Sequence, residues 1–453
     1  MVVRVLLQRC GVAKRTVLSN MKWVVLSFTL GCLASVAWAP LALPLVGLFA
    51  TAVLTALVLN SSNASQAMAV SMAYGIGLHL KGHGWVFKSL LGPVHAGWLM
   101  SLLGTCLFVL YLAVFTAIPA AVFKLCIERM PRLFWPWTFA ACMTLGEFAR
   151  TLMFNGFSGL SLGYVFAEQS PKHWMALVGV YGLGWLAYLT AASVAVACIN
   201  IAVRPVLTAL FYAMVLYGGG LLLAKVQWGA PAGEALKFRL LQVNVRQDDK
   251  FRPEYRQAQL RDYMKWIRQE EADLTLTPET AFPIPFNEVP VDYLQALQSF
   301  SQQTGTHLFL GMPVQSGQGG GFNALFHFNP QNKIARYDKV RLMPLGEYTP
   351  MGLGWFSRRL TIPYKDLTPG KEDQLPFDLQ LNGDIQQYKV GALICHEDLF
   401  GSELHRWLST LGNHHSCRLY HHRRLYRHAM NHRCRTCRQL CICLLYTSDA
   451  ADE

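Results

Sequence analysis

Seven long apolar stretches fill the first half of this 453-residue chain, at about 23–39, 41–60, 66–80, 98–123, 134–153, 174–202 and 205–225. They limit what the chain can fold into more than any other feature. A bilayer core takes ~20 apolar residues of helix. Inside it, every backbone N–H and C=O must be satisfied within the segment or by a closed barrel. The stretches therefore predict a polytopic α-helical membrane bundle over residues 23–225, and residues 226–412 read as an ordinary α/β domain. The mixture explains a chain that is 53% hydrophobic and only 15% charged, where a soluble domain has about 25% charged residues.

Orientation follows from lysine and arginine. Residues 1–22 hold Arg4, Arg9, Lys14, Arg15 and Lys22 and no acid, and Lys124, Arg129 and Arg132 follow the fourth stretch. Both segments belong in the cytoplasm. An odd number of spans then places residues 226 onward outside, which in a bacterium is the periplasmic side of the inner membrane. Ala37-Trp38-Ala39 resembles a signal-peptidase site, but Pro40 directly after it disfavours cleavage, so an uncleaved first helix is expected, with Met21 as an alternative start. Glu147 and Arg150, three apart in the fifth stretch, either pair with each other or mark a polar site, because an acid in a span costs a few kcal/mol unless it is paired.

Residues 413–453 change character. Between 413 and 443 stand seven Arg, six His and five of the chain's twelve Cys, with no Asp, Glu or Lys. Cys434 and Cys437 have C-x-x-C spacing, but without a supporting shell this points away from a metal site. No apolar period survives, and "LLYTSDAADE" resembles translated adapter sequence, so the tail is expected to be out of frame and without a core. Its seven arginines against three acids supply +4 of the formal +13, so the basic charge is no argument for nucleic acid.

The α/β region carries the chemistry. "KFRLLQVNV", "DLTLTPETAFP" and "THLFLGMPV" read as strands, and Leu260, Met264 and Ile267 form one helical stripe between the first two. Strands alternating with helices predict a layered α/β domain. Glu279, Lys339 and Cys395 all fall at strand ends, where a rigid sheet presents side chains. Cys395 is the sole cysteine between 226 and 412. A lone cysteine is commonly inert packing; the His396-Glu397-Asp398 run behind it argues for use.

"TPETAFP", "YDKVRLMPLGEYTP" and "ICHEDLFG" resemble the three signature blocks of the carbon–nitrogen hydrolase (nitrilase) superfamily, 60 and 56 residues apart at their Glu, Lys and Cys. "PLGEYTP", "NGFSGLSLGY" (155–164) and the spans ahead of the domain resemble its membrane branch, the apolipoprotein N-acyltransferases, over about 21–412. The resemblance implies an αββα sandwich, a thioester on the nucleophile Cys395, Glu279 as general base and Lys339 at the oxyanion. Glu347 and Glu397 match supporting acids. Phe251, His396 and Leu345 stand where the family has Trp, Tyr and Phe, and are candidates for the substrate pocket. The implied donor is a phospholipid acyl chain and the implied acceptor the α-amine of a diacylglyceryl-cysteine apolipoprotein. A monomer, no cofactor and no metal are expected. The same resemblance requires strands and a final span beyond residue 412, so this chain as written is expected to lack part of its sheet and to be inactive. A membrane-tethered amidase using water, and a transporter or receptor with an extracytoplasmic binding domain, are the alternatives.

Overall fold

The computed structural model describes residues 17–92, 94–227, 236–241, 245, 247–315, 320–360, 365–381, 387–410, 417–421 and 439–444. It divides into two compact units, one chiefly of residues 17–88 and 98–227 and one chiefly of 236–410.

The first unit is helical: α1 Val17–Ala34, α2 Pro44–Leu59, α3 Ala64–Gly82, α4 Trp85–Leu91, α5 Trp98–Ile127, α6 Trp135–Leu152, α7 Met175–Ile199 and α8 Val203–Met214. Each of the seven apolar stretches lies on a helix. Among the described residues, three helical runs are long and apolar enough to cross a membrane: Trp98–Ile127, Ser170–Ile199 and Val203–Leu223. Met21–Ala37 and Pro44–Leu59 are apolar but shorter. Small residues let the helices touch backbone to backbone, as expected where lipid offers no hydrophobic drive between helices. A Cβ on Gly31 of α1 would lie 2.0 Å from the Tyr74 carbonyl oxygen, and one on Gly77 of α3 2.1 Å from that of Phe28.

Glu147 and Arg150 do not pair with each other. Glu147 Oε1 accepts from Leu162 N at 2.9 Å and Tyr188 OH at 2.8 Å, while Arg150 Nη2 donates to Ser161 Oγ at 3.0 Å. The two charges fasten the Asn155–Tyr164 loop, whose Ser158 and Ser161 are fully buried.

The second unit holds two sheets. In the first, β1 Phe238–Leu240, β2 Leu274–Leu276, β3 His307–Gln315, β4 Gly321–Phe328 and β5 Ile334–Asp338 lie in sequence order. β1, β2 and β3 are parallel, and β4 and β5 complete an antiparallel meander. The second sheet runs β6 Phe377–Gln380, β7 Gln387–Ile394, β9 Gln439–Leu444, β8 Cys417–His421. Two of its strands thus come from the tail, in whose sequence no apolar period survives. The reason is that β7 offers a free edge, and adding a strand to an edge asks for backbone N–H and C=O rather than for an apolar period. Cys434 and Cys437 lie outside the described residues.

Alternation along β3 separates the two faces. Phe309 joins Leu276, Leu325, Tyr337 and, from the second sheet, Leu379, Val390 and Ile394 in a core between the sheets. Leu308, Leu310 and Met312 face the other way, against Tyr263 and Ile267 of α9 (Arg256–Gln269) and Leu297 of α10 (Val291–Thr304). Each such buried side chain contributes about 1.5–3 kcal/mol. On the second sheet, Trp407 of α11 (Gly401–Thr410) packs on Gly391 and donates its Nε1 to Ala392 O at 2.8 Å. The expected stripe on α9 is present, with Leu260 and Ile267 buried and Met264 half-buried. The sequence reading missed α10, although Gly305 ends it in the left-handed conformation at φ +71°.

Candidate active site

Three strand ends meet at one buried cluster. Glu279 follows β2. Thr277 N donates to Phe309 O at 2.9 Å, so the turn stays registered on β3, and Thr280 beyond it has φ +49°. Gly311 opposite has no room for a side chain: a Cβ there would lie 2.4 Å from Pro278 O and 2.8 Å from Thr280 N. Lys339 follows β5, and its N donates to Asn323 O at 2.8 Å. Cys395 follows β7 directly, at φ +53°, a conformation that L residues adopt at a cost. The chain turns there into the helical turn Cys395–Leu399.

Lys339 Nζ sits 3.3 Å from Glu279 Oε1 and 2.8 Å from Glu347 Oε2, with 1% of its side chain exposed. The Cys395 thiol is within electrostatic range of Glu279, Lys339 and Glu347. Burial raises the thiol well above its ordinary range, and the neighbouring Glu279 adds to this while Lys339 opposes it. Burial alone would lower the Lys339 ammonium, but Glu279, Glu347 and Cys395 around it raise it well above the usual lysine range. Burial opposes the Glu347 carboxylate; Lys339 outweighs it and holds Glu347 below its ordinary value. At neutral pH the site is therefore a protonated thiol, a firm ammonium and a paired carboxylate. That set can take a proton from sulfur and meet a developing oxyanion.

A chain of this geometry behind a helical unit has named relatives. The apolipoprotein N-acyltransferase of Nitrosomonas europaea is 32% identical over 84% of this chain and 75% of its own length. The present chain belongs to the apolipoprotein N-acyltransferase family. That of Methylococcus capsulatus is 33% identical over the same shares. Residues 30–193 match the apolipoprotein N-acyltransferase N-terminal domain and residues 240–429 the carbon–nitrogen hydrolase family. Family membership makes the chain an acyltransferase. An amidase from Nesterenkonia sp. of known structure is also similar, at 19% identity over 42% of this chain and 65% of that one, with a TM-score of 0.28.

Within this acyltransferase the supporting acids do different work. Glu347 stands beside Lys339, with Met343 N donating to its Oε2 at 2.8 Å. Glu397 is fully buried and acts as a brace. Its Oε1 accepts from Val340 N at 2.7 Å and Arg341 N at 3.1 Å, and its Oε2 from Ile394 N at 2.7 Å. It thereby ties the turn bearing Lys339 to the turn bearing Cys395. Burial raises it to about 7, against the pull of those N–H donors and Lys339.

Of the pocket candidates, His396 is buried beside the cysteine with its ring 5.0 Å from that of Phe400. Leu345, at φ +62°, sits in the tight turn whose N donates to Tyr348 O at 2.8 Å. Phe251 is half-buried after the helical turn Gln247–Lys250. The sequence reading missed Asn323, Lys250 and Tyr337. Asn323 bridges the two acids, Lys250 Nζ donates to Glu279 O at 3.1 Å, and Tyr337 OH donates to Glu397 Oε1 at 3.0 Å. Only Lys250 left a sequence signal, as a lysine directly before a position already singled out. Among the described residues no group of three or more His, Cys, Asp or Glu is placed to hold a metal ion.

Proposed function

We propose that this acyltransferase moves an acyl chain from a phospholipid to the α-amine of a diacylglyceryl-cysteine at a lipoprotein N-terminus. The intermediate is a thioester on Cys395. The chain acts as a monomer in the bacterial inner membrane with its catalytic unit on the periplasmic side. The observation that carries the reading is the buried cluster in which Lys339 Nζ lies 3.3 Å from Glu279 Oε1 and 2.8 Å from Glu347 Oε2, with the Cys395 thiol within electrostatic range of all three. Family membership supplies the substrate class, and the apolar helices, three of them long enough to cross a membrane among the described residues, supply the lipid setting.

In the first half-reaction Glu279 takes the Sγ proton as sulfur attacks the ester carbonyl carbon of the donor. The resulting oxyanion is stabilised by Lys339, an interaction of the kind worth ~3–4 kcal/mol. The intermediate collapses, the C–O bond breaks, and Glu279 returns the proton to the departing glycerol oxygen. The product is a lysophospholipid. In the second half-reaction the neutral α-amine attacks the thioester carbon and yields a proton to Glu279. The C–S bond breaks and the thiolate is reprotonated. One carboxylate thus serves both halves. The amide formed adds an acyl chain at ~0.8 kcal/mol of membrane affinity per buried CH₂.

The test, which also decides between activity and the inactivity expected from the tail, is to incubate the full chain in detergent with a phospholipid radiolabelled in its acyl chain. A hydroxylamine-labile label should appear on the Cys395 peptide, and should then pass to a synthetic diacylglyceryl-cysteine peptide. Cys395→Ser should form none, and Glu279→Gln about 10²–10⁴-fold less. No label on the wild-type cysteine would end the thioester reading. Release as free fatty acid whether or not the peptide is present would make the protein a hydrolase.

A further inference from the structure

One buried cation has no part in the chemistry above. Lys250 closes the turn Gln247–Lys250 and is 7% exposed. Its Nζ donates to the Glu279 backbone carbonyl at 3.1 Å and lies 5.5 Å from the Phe251 ring centroid. Gln259 of α9 fastens the same turn, its Nε2 donating to Lys250 O at 3.2 Å. The ammonium is within electrostatic range of both Glu279 and Cys395. Burying a charge costs several kcal/mol unless partners offset it. An apolar side chain of similar length would fill this space at no such cost, so packing alone does not account for a lysine here. The residue after Glu279, Thr280, sits at φ +49°, so the glutamate's turn has to be held from outside.

We propose that Lys250 is a positioning residue for the nucleophile: its ammonium grips the Glu279 carbonyl, holds the turn that carries this carboxylate in the site shared with Cys395, and adds a second positive charge that favours the thiolate. The proposal rests on the thioester reading and deepens it. Lys250 forms no bond to substrate and keeps its proton throughout. Burial brings its ammonium down to about 8, with Glu279 and Cys395 pulling the other way, so the help fades as pH climbs past that point.

The experiment follows iodoacetamide alkylation of Cys395 against pH in the full-length protein in detergent, read by mass spectrometry of the Cys395 peptide. Below about pH 8, where Lys250 carries its charge, K250M should alkylate at Cys395 about 10-fold more slowly than wild type, the two rates converging above it, and should form thioester about 10- to 100-fold more slowly. K250R, charged at every pH used, should match wild type near neutrality and exceed it where Lys250 loses its proton. A K250M-to-wild-type alkylation ratio that does not change with pH overturns the proposal, however much activity is lost, because a merely structural lysine would leave that ratio independent of its own charge. If K250M does not accumulate, K250Q takes its place, and coincidence of K250Q, K250R and wild type across that range overturns the proposal equally. Thioester label persisting in C395S would instead sink the underlying reading and leave the alkylation result standing.

Discussion

Asn323 donates one side-chain nitrogen to Glu279 Oε1 at 2.6 Å and to Glu347 Oε1 at 2.8 Å. Its own carbonyl accepts from Lys339 N at 2.8 Å. One residue of β4 thus sets the spacing of two carboxylates and the lysine between them. Hydrogen bonds to charged groups are worth about 1.5–3 kcal/mol each. Asn323→Ala should therefore slow thioester formation by roughly 10- to 100-fold with the circular dichroism spectrum unchanged. Asn323→Asp should be worse, since it sets a third carboxylate against Glu279 and Glu347 where the amide nitrogen now bridges them. Single-turnover labelling of Cys395 measures both.

Gly311 is the residue on which the Glu279 turn rests. Its Cβ position is occupied by Pro278 O at 2.4 Å, which is backbone and cannot rotate away. Gly311→Ala should displace Glu279 from Cys395. Overpacking of this sort destabilises by about 1–3 kcal/mol, and the loss of rate should exceed what that destabilisation explains. Thermal unfolding and the single-turnover rate, measured on one preparation, separate the two.

Glu397 makes stability fall as pH rises. Burial raises its folded-state value to about 7, above the ~4.3 of an unfolded glutamate. The stabilisation is complete below the unfolded value and is lost as pH climbs through the folded one, on the order of 3 kcal/mol in all. The thermal midpoint should drop between pH 5 and about 8 in wild type, and Glu397→Gln should remove that slope. A flat wild-type profile would contradict the buried, protonated acid.

The pair His307 and His327 works in the opposite sense. His307 Nε2 faces the Gln380 carbonyl at 3.1 Å, so it carries the proton, and its Nδ1 accepts from His327 Nε2 at 2.9 Å. His327 also stacks on Phe309, with ring centroids 4.4 Å apart. Burial lowers both imidazoles; His307 lowers His327 further, while the Gln380 carbonyl and Asp273 partly oppose the shift at His307. Their stabilisation is present above the ordinary ~6.5 of histidine and is lost as pH falls below it. Acid should therefore loosen the contact between β3, β4 and β6, and the double His→Phe variant should resist this. Hydrogen exchange on β3 and β6 at two pH values is the readout.

The apolar half of the chain was legible because a membrane helix is a local property of ~20 residues: the apolar stretches lie on helices, and among the described residues three helical runs are long and apolar enough to cross a membrane. The polar partners of Glu147 and Arg150 were not. Three apart on α6, they reach Leu162, Tyr188, Ser161 and His79 instead of each other, and only packing decides which neighbours come within reach.

Glu279, Lys339 and Cys395 could be named from the sequence because each ends a strand, and a strand end followed by Pro, Gly or a charge run is written in consecutive residues. Their spacings and the apolar runs were likewise determined by the chain alone. The convergence of the three was decided by β-pairing across gaps of 60 and 56 residues, since sheet order and register arise from contacts distant in sequence. The same pairing brought Asn323 across from Lys339, put Lys250 under Glu279, made Glu397 a brace, and gave β7's open edge two strands from a tail with no pattern of its own.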